Sequence, residues 1–226
     1  MWVIGHRGSA GNWPENTLAA IRHAIACGVD WVEIDIRSID DEIIVLHDDT
    51  LDRTTNGTGS VYAHTLASLR SLDAGQGEKI PYLNEVMDTI DARVGLNIEI
   101  KQRGSNAELQ DTLVRYLDKN SRWRDKIMLS SFMDDVMREL SDTAPGGCLL
   151  GALTDSDPID TIETATRLGM YAANISLRQL SKSVVEHAHQ NKLKLLVYTV
   201  NDRDDVARCK RMNVDGIFTD YPERAM

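Results

Sequence analysis

Eight short apolar runs alternate with longer segments of helical period, two of those runs carry acids on one face, and no glycine-rich phosphate loop follows the first of them. Together these observations predict an α/β fold, a (β/α)8 barrel. A doubly wound open sheet is the competing architecture, but it more often shows fewer strands and a glycine-rich first turn. The predicted strands are Trp2 to Gly5, Trp31 to Ile36, Gly95 to Ile100, Ile127 to Ser131, Leu149 to Leu153, Ala172 to Ile175, Lys194 to Val200 and Gly216 to Thr219.

Taken in order, "WVIG" runs into "GHRGS", and Pro14 sets a turn before a helix over Thr17 to Cys27, capped by Asn16 or Thr17. Gly28 supplies the helical stop. The second strand lies in "DWVEIDIRSID", where Val32, Ile34 and Ile36 point one way and Trp31, Glu33, Asp35 and Arg37 the other. Beyond it the connection is too long for an ordinary loop. Residues of about 43–82, opened by the short strand "EIIVLHD", therefore read as a small insertion at the end of that strand. Helices are then predicted over Leu83 to Ala92, Asn106 to Asn120, Asp134 to Asp142, Pro158 to Leu168, Ser181 to Asn191 and Arg203 to Met212, with Gly169 and Asn191 as further stops. After the last strand only "YPERAM" remains, so the last helix is truncated.

The 226 residues form one domain on this reading, since no linker or break in charge divides them. A formal charge of -10 excludes nonspecific binding to nucleic acid or to anionic membranes, and any anionic substrate must be held by local cations. Cys27, Cys148 and Cys209 are odd in number, lack metal-site spacing and read as reduced packing residues. With no leader before "MWVIGHRG" and no apolar run of bilayer length, a cytoplasmic location is expected, without stable membrane insertion.

The acidic face of the second strand recurs in "GLNIEIKQ", where Leu96, Ile98 and Ile100 oppose Asn97, Glu99 and Lys101. If both apolar faces pack under helices, Glu33, Asp35 and Glu99 converge inside the barrel near its catalytic rim. Three carboxylates at that range need a counter-charge, which a hard divalent cation, Mg²⁺ or Ca²⁺, supplies. Lys101 adds a further positive charge. An interior salt-bridge network without an ion is the alternative. His6 and His47 end strands on the same rim and are candidates for a general acid and a general base, with Arg7 placed to grip an anionic oxygen. Glu15 and Asn16 are expected near His6, Arg53, Thr54 and Thr55 as braces for the insertion or for His47, and His23, His64, His187 and His189 on the surface.

With these residues in place, the sequence resembles the glycerophosphodiester phosphodiesterase family. The segments "GHRG", "PENT", "VEIDI", "HDDTLDRTTNGTG", "IPYLNEV", "NIEIK", "YTVN" and "GIFTDYP" fall in the family's order from residue 4 to residue 222. The resemblance implies a TIM barrel with an inserted subdomain, one divalent metal ion on Glu33, Asp35 and Glu99, a histidine pair matching His6 and His47, and Arg7 and Lys101 on the phosphate. It further implies metal-dependent hydrolysis of a small-molecule glycerophosphodiester to sn-glycerol 3-phosphate and an alcohol such as choline or ethanolamine. A lyase acting on sphingomyelin or lysolipids to give a cyclic phosphate, and a catalytically silent binding barrel, are the alternatives. Two departures stand out. Tyr198 occupies a position where the family commonly has Trp, in the wall toward the alcohol, and the truncated closing helix is expected to leave an apolar edge that a second copy of the chain covers as a homo-oligomer.

Overall fold

The computed structural model describes residues 1–104 and 106–226. In chain order its elements are β1 (Trp2–Gly5), α1 (Leu18–Cys27), β2 (Trp31–Ile39), β3 (Glu42–Val45), α2 (Leu66–Ser71), α3 (Leu83–Ile90), β4 (Gly95–Ile100), α4 (Asn106–Lys119), β5 (Ile127–Ser131), α5 (Asp134–Thr143), β6 (Cys148–Thr154), α6 (Pro158–Arg167), β7 (Ala172–Ser176), α7 (Lys182–Gln190), β8 (Lys194–Tyr198), α8 (Arg203–Arg211) and β9 (Gly216–Thr219). The strand order β1-β9-β8-β7-β6-β5-β4-β2 closes on itself through a β1–β2 pairing, all of it parallel. This is a closed (β/α)8 TIM barrel, with β3 added antiparallel to β2. Among the described residues, no helix is long and apolar enough to cross a membrane.

The alternation in the sequence sorts side chains between two cores. Val32, Ile34, Ile36, Leu96, Ile98 and Ile100 face outward and are almost wholly buried under the helices. Fully burying a side chain of this size contributes roughly 1.5–3 kcal/mol. Thr17 caps α1 by accepting from Ala20 N, and Gly28 at φ 87° ends it. Inside, Ile4, Trp31, Met128, Ala172, Leu196 and Phe218 form an apolar floor, with Trp2 tilted against Trp31 at 5.5 Å and stacked on Tyr171 at 6.2 Å. Gly95 makes room for this floor, since a Cβ there would meet the Trp31 ring at 2.2 Å. Polar interior residues begin above that layer, so the apolar floor pushes the chemistry toward the strands' C-terminal ends.

Two strands differ from expectation by more than one residue at an end. β2 continues to Ile39 because its last residues pair with β3 across a two-residue turn, Asp40 and Asp41, both at positive φ. β8 stops at Tyr198, although Val200 beyond it is fully buried and donates its N–H to Phe218 O. Between β3 and α3 lies an annex with its own small core of Ile44, Leu46, Leu51, Val61, Leu69 and Ile80. Its two ends are tied together where Val45 N donates to Pro81 O.

After β9 comes a 3-10 turn, Pro222–Arg224. Around this turn Ala225 is buried, Arg224 stacks at 3.6 Å over the Tyr221 ring, and Met226 is exposed. The three cysteines are free. The histidines expected on the surface are instead half-buried at the edges of apolar helix or annex faces: His23 Nδ1 lies 3.0 Å from Ser9 Oγ, and His189 Nε2 lies 2.8 Å from Asp215 Oδ2.

Candidate active site

The register of β2 against β4 places Glu33 beside Asn97 and Asp35 beside Glu99. Neighbours in a parallel register point to the same face, so the three acids meet in the barrel interior. One oxygen from each of Glu33, Asp35 and Glu99 lies within 4.8 Å of the others, and all three residues are buried. Glu33 Oε2 accepts from Arg7 N at 2.7 Å, Asp35 Oδ2 accepts from Asn16 Nδ2 at 2.9 Å, and Glu99 Oε1 accepts from Lys101 Nζ at 2.6 Å. Among the described residues, Glu33 Oε1 and Asp35 Oδ1 find no hydrogen-bond partner.

Burial first and the Asp35 charge second push Glu33 up to about 8 and also raise Glu99, whose ion pair with Lys101 opposes the shift without cancelling it. A buried acceptor left without a donor is costly. These unpartnered, crowded oxygens have the chemistry of a hard-cation site, and the residues present fit a divalent ion with oxygen ligands.

His6 follows β1 and His47 follows β3, and the two rings line one cavity of about 260 Å³ together with Arg7, Glu33, Glu99, Lys101 and Tyr198. Those are seven of the eight residues singled out from the sequence; Asp35 lies beneath, fully buried. His6 Nδ1 meets Asp220 Oδ1 at 2.7 Å, and His47 Nδ1 meets Asp48 Oδ1 at 2.6 Å. An ionised carboxylate only accepts, so each Nδ1 carries a proton and each Nε2 is left to exchange one. Their surroundings differ in sign. Burial lowers His47 below its ordinary value, whereas for His6 burial is outweighed by Asp220 and Glu33 and the value is raised.

Arg7 takes a left-handed φ of 49°, and Gly8 packs against the Ala20 backbone so closely that a Cβ would clash at 2.6 Å. This tight turn directs the Arg7 guanidinium inward. Its Nη1 donates to Glu15 Oε1 at 2.8 Å, and its Nε faces Asp35 Oδ2 at 3.2 Å without the alignment of a hydrogen bond. Tyr198 donates its hydroxyl to Thr154 O and sets its ring edge-on to Phe132, which together with Leu153 walls the cavity.

Glu15 and Asn16 are not His6 partners: Glu15 holds Arg7 and Arg53, and Asn16, at φ 60°, turns to Asp35. The residue that holds His6 is Asp220, itself bonded by Asn201 Nδ2 at 2.7 Å. Its signal in the sequence is an acid directly after a strand, at the same rim position that His6 occupies after β1. Arg37, read only as part of β2's polar face, braces the annex by donating to His47 O at 2.6 Å and to Tyr62 Oη at 2.7 Å.

Residues 6–224 match the model of the glycerophosphoryl diester phosphodiesterase family. The chain belongs to that family. Among curated family members, a glycerophosphodiester phosphodiesterase of Caldanaerobacter subterraneus subsp. tengcongensis is 35% identical across 98% of this chain and 94% of its own length. One from Bacillus altitudinis is 30% identical across 99% and 96%. In solved structures, an Oleispira antarctica phosphodiesterase in complex with its product sn-glycerol-3-phosphate superposes with a TM-score of 0.89 at 32% identity, covering 100% of this chain and 95% of that one.

Proposed function

We propose that this family member hydrolyses glycerophosphodiesters to sn-glycerol 3-phosphate and an alcohol, with His6 and His47 as the acid–base pair. One observation carries the reading: two imidazoles, each held at Nδ1 by a carboxylate, share a cavity of about 260 Å³ with Glu33 and Glu99 of the acid cluster. A site that only bound its ligand would have little use for two poised proton carriers. The whole chain, annex of about 43–82 included, then acts as a single catalytic unit.

Glu33, Asp35 and Glu99 would hold one divalent ion, Mg²⁺ or Ca²⁺, and a bound ion there supplies Lewis-acid stabilisation of phosphoryl oxygens. Arg7 and Lys101 line the same cavity and offset the negative charge that builds on those oxygens. One imidazole takes the proton of the glycerol 2-hydroxyl at Nε2 as that oxygen bonds to phosphorus. The other gives its Nε2 proton to the departing alkoxide as the second P–O bond breaks. The roles then reverse as water opens the cyclic phosphate, leaving the monoester and restoring both rings. Tyr198, Phe132 and Leu153 form the wall against which the alcohol lies.

The test is a coupled assay of glycerol 3-phosphate release from glycerophosphocholine and glycerophosphoethanolamine, with phosphorus NMR of the products. Chelation should abolish release and added Mg²⁺ or Ca²⁺ restore it. Turnover indifferent to chelator would overturn the metal assignment, and a cyclic phosphate as the end product would overturn hydrolysis.

A further inference from the structure

We infer that Arg53, carried on the annex, is a positioning residue that couples the two sides of the catalytic mouth, fixing His47 through Asp48 and Arg7 through Glu15. The inference rests on the acid–base reading of His47 given above.

The guanidinium makes a double fork. Its Nε and Nη2 donate to Asp48 Oδ2 and Oδ1 at 2.7 and 2.9 Å, and its Nη1 and Nη2 donate to Glu15 Oε2 and Oε1 at 2.7 and 2.8 Å. The two carboxylates come from separate segments, Glu15 from the loop before α1 and Asp48 from the chain after β3. Among the described residues, Arg53 is the one bonded to both. Each carboxylate spends its remaining contact on a residue of the cavity: Asp48 Oδ1 on His47 Nδ1, Glu15 Oε1 on Arg7 Nη1. The connection therefore runs His47–Asp48–Arg53–Glu15–Arg7, from a proton carrier to a phosphate-facing cation.

An exposed ion pair by itself contributes little to stability, and the Arg53 side chain is 49% exposed. What the fork does supply is direction. A planar guanidinium with parallel N–H···O bonds fixes the plane of each carboxylate, and a carboxylate fixed in its plane fixes the imidazole or guanidinium bonded to it. Both carboxylates respond to it: the Arg53 hydrogen bonds hold Asp48 well below the usual carboxylate range, and for Glu15 they help outweigh burial. Without Arg53, Asp48 would keep only His47 and Glu15 only Arg7, and each carboxylate would be free to turn in its plane and carry the group it holds out of position.

The experiment measures kcat, KM and melting temperature for Arg53→Ala, Arg53→Lys, Asp48→Asn, Glu15→Gln and His47→Ala, with divalent metal saturating. Arg53→Ala should lower kcat roughly tenfold to 10²-fold, the cost of a misplaced catalytic group. Its loss should split, the kcat part shared with Asp48→Asn and a KM rise shared with Glu15→Gln. Arg53→Lys should recover only a minor part, since an ammonium cannot grip two carboxylates in plane, and millimolar guanidinium should partly rescue Arg53→Ala. Introduced into Asp48→Asn, Arg53→Ala should change kcat by no more than about twofold, because the oriented partner is already gone.

The inference is overturned by kcat and KM within about twofold of the parent in Arg53→Ala, by full recovery with Lys, by an undiminished loss in the Asp48→Asn background, or by a loss matched by the unfolded fraction. Parent-like turnover in His47→Ala defeats the acid–base reading itself. An inactive His47→Ala beside an unaffected Arg53→Ala defeats the coupling alone.

Discussion

His6 and His47 face the same cavity but are held by different kinds of structure. His6 stands on the barrel: it follows β1, its N–H donates to Thr219 O at the end of β9, and its carboxylate partner Asp220 is the next residue. His47 stands on the annex, joined to the barrel by the β2–β3 hairpin, the Arg37 brace and the Arg53 fork. The barrel arm is closed by main-chain pairing between strands more than two hundred residues apart in sequence, whereas the annex arm combines a local hairpin with side-chain braces. The rings also differ in their electrostatic surroundings. Close to Asp220 and Glu33, His6 is biased toward its protonated form; His47, with Arg7 and Lys101 adding to its burial, is biased toward the neutral one. On the proposed acid–base reading, environments that push two like groups apart suit one to act as acid and the other as base.

This contrast can be broken most directly by removing the rings. His6→Ala and His47→Ala should each lower kcat by roughly 10²–10⁴-fold with the melting temperature little changed; a near-parental rate in either would end the pairing. Asp220→Asn should cost less, roughly tenfold to 10²-fold, because it disorients His6 without deleting it.

The same variant sharpens the electrostatic half of the comparison. In chelated protein, NMR titration should place His6 above its ordinary 6.5 and His47 below it, and Asp220→Asn should bring His6 down. The folded value of His6 is raised, so its pair with Asp220 stabilises the protein fully below the unfolded value and the contribution fades as pH climbs through the folded one. The melting-temperature gap between parent and Asp220→Asn should therefore narrow with rising pH through that range; a gap that widens would contradict it. The mildest test is Leu51→Ala, in the annex core. It should cost about 2–5 kcal/mol of local stability and speed amide exchange in the annex but not in β1 or β9, with turnover reduced a few-fold at most. Equal exchange in both regions would erase the distinction between the arms.

Much of this was legible in the residue order because strand alternation is local. "VEIDI" and "NIEIK" each state which side faces the helices, and a parallel register then brings Asp35 against Glu99. The partner of His6 was not legible in that way. Asp220 lies 214 residues away and reaches the ring only when the cylinder closes through β1 and β9. Asn16 escaped for another reason: it adopts left-handed backbone, which no periodicity announces, and that turn sends it to Asp35 instead of His6. The double fork of Arg53 joins two segments, and bracing could be read from its motif while the second carboxylate, Glu15, could not.

The indole and phenol rings packed across the bottom of the barrel have a kinetic consequence. With that end stoppered, traffic is one-way in space: the diester enters and both fragments leave through a single doorway. On the proposed hydrolysis, glycerol 3-phosphate held by Arg7 and Lys101 should leave after the alcohol and act as a competitive inhibitor of the incoming diester.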